Sequence, residues 1–522
     1  MIVRGQGGRG WRAAVAGAVL VVSLAACGGG NPGGPASTGG PVPVGGTLRV
    51  ALGQPEADLN GLQYKTHSFN VLDQLYEPLV RYGPKGELRP GLAERWEVSP
   101  DGLTLTFHLR GGVTFSDGVA FTAPVAKTDM ERWIGSTAFL GISRQTQSIE
   151  APDDRTLVLR LKSPYYPALQ ELTLMRPVRF RSPASFDAAG TFVKPIGTGP
   201  YKFESSSATE IVLVRNDSYW GGRPNLDKVV FTVIPSSQAR LAALKAGEAD
   251  MIGGDYLAPL APEETLDLRG QAGITVLSEP SSTNLLLGFN TSTGNKALAD
   301  PRVREAVNRA LDRDAYAKAL FNGLAKPATQ VFPASIPYAP QQPRDVTLDQ
   351  QRAKDLLSQA GATGLSLRLI LDPGLLPQAR TLSEAIQADL AKIGIQVHID
   401  QLDSAAYADA ASKRDYDLLF YLTYGPPYDP FAMLNANFRS TEPTFLYTAP
   451  DLDGLIDAAL AGTTDAARAA AYERVWSRLN DDWAVAPVVE LPRVWAIGPA
   501  VRGFTLGVTE YDLPLTGVGV AR

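Results

Sequence analysis

Apolar residues recur along this chain with two periods, one of two residues and one of about four. Leu48, Val50 and Leu52 alternate with other residues, and the segment 104–110 alternates in the same way. Because successive side chains of a strand point to opposite faces, each segment predicts a strand. Short apolar runs at 211–214 and 229–233 have the composition of buried strands, and two more strands are predicted at 365–371 and 416–422.

The four-residue period predicts helices between these strands. Leu382, Ile386 and Leu390 lie on one helical face, and Gly394 then predicts the end of the helix before a strand at 395–399. Further helices are predicted at 301–311, 350–359 and 464–479. Helices and strands in mixture along the whole chain predict an α/β fold.

The first residues have the pattern of an export signal. Arg4, Arg9 and Arg12 precede an apolar run of 14 residues, 13–26, whereas a helix needs about 20 to cross a membrane. The alternative, a short buried helix, leaves the three arginines without a role. We therefore expect residues 1–26 to be a removed signal peptide.

Cys27 follows this run directly and is the only cysteine of the chain. The preceding Leu24-Ala25-Ala26 resembles a bacterial lipobox, which implies that Cys27 is acylated and becomes the new N-terminus. The alternative is an incidental cysteine in a signal cut elsewhere. Residues 27–46 then form a lipidated, glycine- and proline-rich flexible tether, and the protein is exported and anchored to the outer face of the cytoplasmic membrane.

Length and charge narrow the class of protein. A chain of 522 residues exceeds one ordinary core and predicts two or three lobes. Its 49 basic and 54 acidic residues give a net charge of -5, which offers no surplus of positive charge for nucleic acid.

Several independent signatures of enzymes are missing from the sequence. Its three histidines, His67, His108 and His398, are far apart, and no Cys-x-x-Cys, Gly-x-Ser-x-Gly or Gly-Lys motif occurs. His108 and His398 each alternate within a predicted strand and are expected to face solvent or a neighbour. We therefore expect neither an enzyme nor a bound cofactor.

Motifs in fixed order span nearly the whole mature chain. They occupy residues 75–82, 90–96, 107–110, 115–118, 196–201, 215–220 and 300–306. Their order and spacing resemble the peptide/nickel-binding family of extracellular solute-binding proteins, family 5.

This resemblance implies a type II periplasmic-binding-protein fold with three lobes that close on a ligand. The implied lobes are discontinuous: 47–88 with 192–282 and 494–522 form lobe I, 89–191 form lobe II, and 283–493 form lobe III. Gly197 and Gly199 beside Pro200 predict a turn at a lobe crossing. The implied partners are the permease and ATPase of an ABC importer, and the protein is expected to be a monomer.

Three further segments resemble one branch of this family, the branch that binds nickel chelates and metallophores. They are residues 165–172, 176–180 and 423–431. In that branch the arginine before the proline binds carboxylates of the chelator, and the corresponding residue here is Arg176. A guanidinium suits this role because it can bind a carboxylate through two nitrogens. The alternative is a structural or surface arginine. The other implied ligand contacts, each of which could instead be core, are Tyr424, Tyr428, Tyr64, Phe69, Phe139 and Thr509.

The sequence also departs from that branch. Its enteric members supply one histidine to the metal after the Tyr-Asp-Pro motif, and residues 431–446 contain none. A metal whose ligand atoms all come from the chelator would not need a histidine from the protein. If it did, His67 would be a weak candidate for that histidine. The competing solute is a short peptide whose amino terminus is bound by Asp429, although Asp429 before Pro430 could equally be a turn residue. A third hypothesis, a secreted hydrolase or sensory receptor on this scaffold, lacks a nucleophile and base pair.

Overall fold

The alternating segments form strands in the computed structural model, which describes residues 41–54, 59–62, 69–83, 86–136, 140–175, 178–253, 260, 262–334, 336–340, 343–423, 429–442 and 446–521. Residues 36–522 form one compact unit. The strands are β1 (Thr47–Leu52), β2 (Val80–Tyr82), β3 (Leu88–Pro90), β4 (Ala93–Val98), β5 (Thr104–Leu109), β6 (Thr146–Asp153), β7 (Thr156–Leu161), β8 (Tyr201–Ser206), β9 (Glu210–Arg215), β10 (Lys228–Val233), β11 (Met251–Gly253), β12 (Thr275–Phe289), β13 (Lys326–Pro327), β14 (Ser366–Leu371), β15 (Gln396–Gln401), β16 (Leu418–Leu422), β17 (Val485–Ile497), β18 (Val501–Arg502) and β19 (Gly519–Val520).

Several of the helices begin at residues whose side chains accept the free backbone N–H groups of the first turn. Ser236, Asp300, Asp349 and Thr464 all cap in this way. The helices are α1 (Leu72–Leu75), α2 (Ala123–Ser136), α3 (Gly141–Gln145), α4 (Ala168–Glu171), α5 (Ser237–Ala246), α6 (Pro262–Leu268), α7 (Pro301–Ala310), α8 (Arg313–Ala315), α9 (Gln350–Gln359), α10 (Ala379–Lys392), α11 (Ser404–Lys413), α12 (Phe431–Phe438), α13 (Leu452–Ala461) and α14 (Asp465–Asp481).

The predicted elements are confirmed. All seven predicted strands and all four predicted helices are present, with ends that differ from the prediction by three residues or fewer. Helix α10 ends one turn before the predicted position of the strand, and Gly394 adopts the left-handed conformation (φ 86°) that favours glycine. His398 is exposed on β15, and His108 on β5 lies 3.4 Å from Glu97, so both histidines face solvent or a neighbour as expected.

Within the described residues, eleven strands form one sheet. Its order is β15-β14-β16-β12-β17-β11-β1-β10-β9-β8, and β13 pairs with β17. β1 runs parallel to β10 and β11, whereas β12 and β17 form a long antiparallel pair through the middle of the sheet. The register of that pair shifts between Pro280 and Asn284, beside the predicted boundary at 282/283.

Alternate side chains of the sheet pack into different hydrophobic cores. Leu285 and Leu287 of β12 pack with α7, α9 and α10, while Leu286 between them packs with α12, α13 and α14. The β1 end of the sheet is covered in turn by the C-terminal segment, through Phe504 and Leu513. At β12 the sheet therefore lies between two layers of helices.

A second sheet, β4-β5-β7-β6, has its own core. Phe107 of β5 packs with Trp133 of α2, and Phe431 of α12 joins the same cluster. The two sheets thus account for the burial of most apolar residues named above. The division of the chain into three lobes stays a prediction. None of the helices in the described parts of the chain is long and apolar enough for a membrane span.

Candidate functional site

Three of the predicted ligand residues lie in the described part of the chain: Phe69, Asp429 and Thr509. The structure does not describe the other five, which are Tyr64, Phe139, Arg176, Tyr424 and Tyr428. The predicted lipidation site Cys27 and the weak metal candidate His67 also lie outside the described residues. The geometry of the candidate site is therefore built from the three described residues and from the residues that flank the others in sequence.

Thr509 lines a cavity of about 330 Å³. Its side chain is buried, its N–H donates to Asp512 (3.0 Å), and its hydroxyl accepts from the N–H of Tyr511 (3.1 Å). The same cavity is lined by Thr173 and Arg179, which stand three residues before and three after Arg176. The fold thus brings the predicted Thr509 to the segment that carries the predicted arginine.

Phe69 lies on the edge of the same region. Its ring meets the ring of Tyr511 edge-on, with centroids 4.7 Å apart. It also packs against the core cluster that contains Met175, the described residue directly before Arg176. Phe69 is therefore partly scaffold, and its predicted contact with the ligand stays a prediction.

Buried charges form one wall of the cavity. Arg179 donates to the carbonyl oxygen of Tyr76 (3.0 Å) and lies 3.4 Å from Asp73, whose other carboxylate oxygen accepts from the N–H of Leu513 (3.0 Å). Burial raises the pKa of Asp73 to about 6, even though the charge of Arg179 acts to lower it. Arg179 thus connects its own segment to α1 and, through Asp73, to the C-terminal segment.

Asp429 is buried, with 3% of its surface exposed, and its carboxylate already has three donors. It forms an ion pair with the fully buried Arg468, and it accepts from the hydroxyl of Tyr472 (2.5 Å) and from the N–H of Phe431 (2.9 Å). An ammonium group of a ligand would have to compete with Arg468 for this carboxylate. The predicted role of Asp429 in binding a peptide terminus stays a prediction.

Arg468 also joins α14 to the segment before α4, a contact that the sequence did not predict. Its guanidinium lies 4.0 Å from the ring centre of Tyr166, and the hydroxyl of Tyr166 donates to Asp465 (2.5 Å). Tyr338 donates to the same carboxylate (2.8 Å), and these two bonds lower the pKa of Asp465. Nothing in the sequence links residues about 300 positions apart, so this contact is visible only in the fold.

Glu171 connects two further segments that flank predicted ligand residues. Its buried carboxylate accepts from the N–H groups of Gly141 (3.1 Å) and Ile142 (2.7 Å) and from the hydroxyl of Tyr165 (2.7 Å). Burial raises the pKa of Glu171 to about 7. Tyr165 in turn packs edge-on against Phe431, with centroids 5.6 Å apart. The segment after Phe139 and the segment after Tyr428 therefore share one anchor.

The described residues include no group of three or more histidine, cysteine, aspartate or glutamate side chains placed to bind a metal ion. Protein metal sites are normally built from three or four such side chains. What the described residues can do is place paired charges, hydroxyl groups and aromatic rings around a cavity that also has apolar walls. That arrangement suits a ligand bound by many non-covalent contacts.

Comparison with known proteins agrees with this picture. The sequence model of the family described as bacterial extracellular solute-binding proteins, family 5 Middle, matches residues 87–445. The nickel-binding periplasmic protein of Escherichia coli K12 is 34% identical over 486 residues, covering 87% of this chain and 91% of that protein. The glutathione-binding protein GsiB of Escherichia coli is 30% identical over 369 residues, covering 69% of this chain and 70% of that protein.

The fold agrees with a solved structure as well. NikA from Brucella suis, in complex with Fe(III)-EDTA, superposes with a TM-score of 0.85 at 30% identity. The match covers 91% of this chain and all of that chain. The described sheets and helices are thus those of a periplasmic binding protein.

Proposed function

This chain belongs to family 5 of the bacterial extracellular solute-binding proteins, and on that premise we propose that it captures a metal chelate and delivers it to an ABC importer. The nickel-binding relative, at 34% identity over most of both chains, supports a metal as part of the cargo. NikA from Brucella suis in complex with Fe(III)-EDTA supports a metal that arrives inside an organic chelator.

The engaged state of Asp429 is the observation that favours a chelate over a peptide. A peptide brings a positively charged amino terminus, which needs an unpaired carboxylate for a charge-assisted hydrogen bond. Asp429 is instead neutralised by Arg468 and bonded by Tyr472. A chelate rich in carboxylates needs the opposite partner, a guanidinium, and Arg176 is our candidate for it.

The remaining contacts are assigned by role. Tyr424 and Tyr428 stack on the ligand or bond to it through their hydroxyl groups, and Tyr64, Phe69 and Phe139 provide apolar walls. Thr509 contributes its hydroxyl from the wall of the 330 Å³ cavity. The metal itself needs no protein ligand if the chelator fills its coordination sphere, which leaves His67 as a weak candidate only.

Capture and delivery follow from hinged lobes. A ligand enclosed in the cleft between the lobes binds the closed form more tightly than the open form, and this difference in affinity shifts the population toward closure. Acylated Cys27 keeps the protein at the membrane surface, where the permease and ATPase receive the ligand from a single copy of the chain.

A short peptide is the second candidate solute. It is supported by GsiB, a glutathione-binding relative at 30% identity, because glutathione is itself a small peptide. Binding would require the ion pair of Asp429 with Arg468 to rearrange. The hydrolase or sensory-receptor hypothesis is set aside here, because the relatives are binding proteins by name.

The test is titration calorimetry of the mature chain with Ni(II)–histidine, Fe(III)–EDTA and glutathione. We expect a chelate to bind and Arg176→Ala to weaken it about 10- to 100-fold, since a hydrogen bond to a charged group contributes about 1.5 to 3 kcal/mol. Arg380→Ala is the matched control, because that side chain is 72% exposed on α10. Glutathione binding that is lost in Asp429→Asn, with no binding of either chelate, would establish the peptide alternative.

A further inference from the structure

One arginine, Arg181, joins two distant segments of the chain to its own segment with a single buried guanidinium. Its side chain is 1% exposed, and that of its ion-pair partner, Asp129 on α2, is 4% exposed. Nε and Nη2 both donate to the carboxylate of Asp129, at 3.2 and 2.9 Å. Nη1 donates to the carbonyl oxygen of Asn60 (2.8 Å), and Nη2 donates to that of Arg179 (2.8 Å).

Each segment that Arg181 binds leads directly to a predicted ligand residue. Asn60 precedes Tyr64 by four residues, and Asp129 lies on the helix that ends three residues before Phe139. Arg179 follows Arg176 by three residues. Arg181 is not among the described residues that line the 330 Å³ cavity, but Arg179, whose carbonyl oxygen accepts from it, is one of them. Arg181 is thus linked to the cavity wall through the backbone of Arg179.

We propose that Arg181 is a positioning residue for solute binding, which sets the spacing of residues 59–62, α2 and residues 178–181, the described segments next in sequence to Tyr64, Phe139 and Arg176. This inference rests on the proposed function. Only a guanidinium has the planar fork that binds a carboxylate through two nitrogens while donating to two carbonyl oxygens. A lysine at this position would keep the charge and lose that geometry.

The test compares variants that separate geometry from stability. Arg181→Lys keeps the positive charge beside Asp129. The double variant Arg181→Met with Asp129→Leu removes both buried charges, a replacement that is often neutral for stability, but it leaves the carbonyl oxygens of Asn60 and Arg179 without their donor. The matched control is Arg313→Lys, because Arg313 is also buried and donates to the carbonyl oxygens of Pro487 (2.6 Å) and Asn308 (2.8 Å) in another core.

The first readout is affinity for Ni(II)–histidine by calorimetry, at a temperature where each variant is fully folded. We expect Arg181→Lys and the double variant to bind at least about tenfold more weakly, a loss of about 1.4 kcal/mol. The double variant should unfold below the wild-type midpoint, because the two carbonyl oxygens lose their donor, but it should be fully folded at the temperature of the measurement. Arg313→Lys should bind within about twofold of wild type despite its lower stability.

The second readout is amide hydrogen exchange of the ligand-free protein, which does not depend on the identity of the solute. We expect residues 59–62 and 178–182 to exchange faster in Arg181→Lys than in Arg313→Lys. If the wild-type chain binds none of the ligands offered, the proposed function fails, and the exchange comparison alone decides the role of Arg181. Unchanged affinity in the two Arg181 variants, equal loss of affinity in Arg313→Lys, or unchanged exchange at 59–62 would each overturn the inference.

Discussion

The ion pair of Asp429 with Arg468 gives the most quantitative prediction about the architecture of the site. Arg468 is fully buried and Asp429 is 3% exposed, so Arg468→Met would leave a carboxylate in a dry interior with only a tyrosine hydroxyl and one backbone N–H as donors. Removing one partner of a buried pair costs about 3 to 5 kcal/mol of unfolding free energy.

The structure also predicts how the two partners couple. In Asp429→Asn the charge of Arg468 is left unpaired, whereas the double variant contains neither charge. We therefore expect the double variant to be less destabilised than the sum of the single variants, with an interaction free energy of at least about 2 kcal/mol. Urea unfolding of the mature chain, followed by tryptophan fluorescence and by circular dichroism, measures all four proteins.

A surface pair provides the control for this cycle. Arg380 and Glu384 on α10 form an ion pair at 3.0 Å, but their side chains are 72% and 51% exposed. Their interaction free energy should not exceed about 0.5 kcal/mol. If the Asp429 cycle gave a value as small as this control, the carboxylate would be unpaired in solution and available to a ligand, and our preference for a chelate would lose its main support.

Three further predictions concern other parts of the molecule. Burial raises the pKa of Glu171 from 4.5 to about 7, so the folded chain retains a proton that the unfolded chain releases, and stability falls as pH rises through this window. In Glu171→Gln, the decrease in unfolding free energy between pH 4.5 and pH 7.5 should be about 3 kcal/mol smaller than in the wild type. Gly197→Ala should cost at least about 2 kcal/mol by urea unfolding, because its Cβ would lie 1.9 Å from the carbonyl oxygen of Leu75, while Gly454→Ala, with nothing within 4 Å, should not destabilise. Thr509→Val should weaken chelate binding about fivefold in calorimetry by removing one hydroxyl, and an unchanged affinity would exclude Thr509 from the site.

The sequence predicted those features that depend on neighbouring residues. The period of four residues at Leu382, Ile386 and Leu390 located α10, because one apolar stripe is enough to specify a helix that packs on a sheet. The alternation around Val50 located β1 for the same kind of reason. Such patterns involve only residues that are close together in the sequence, so one sequence is enough to recognise them.

The order of strands and the pairing of buried charges could not be predicted in this way. β17 lies between β12 and β11 although about 200 residues separate it from either strand, and no local pattern encodes that neighbour. Asp429 was predicted only as a candidate for binding a peptide's amino terminus, and the fold is what brings Arg468 and Tyr472 to its carboxylate. The contacts of Arg181 with α2 and Asn60 were invisible for the same reason.

The central claim is that this protein captures a metal inside an organic chelator, and the solute that it carries from the cell tests that claim most directly. Native mass spectrometry of the gently purified chain, together with metal analysis of the same sample, would identify this solute. Our account predicts one metal ion per chain, bound with a small carboxylate-rich molecule that leaves upon unfolding. A released peptide without metal would contradict it.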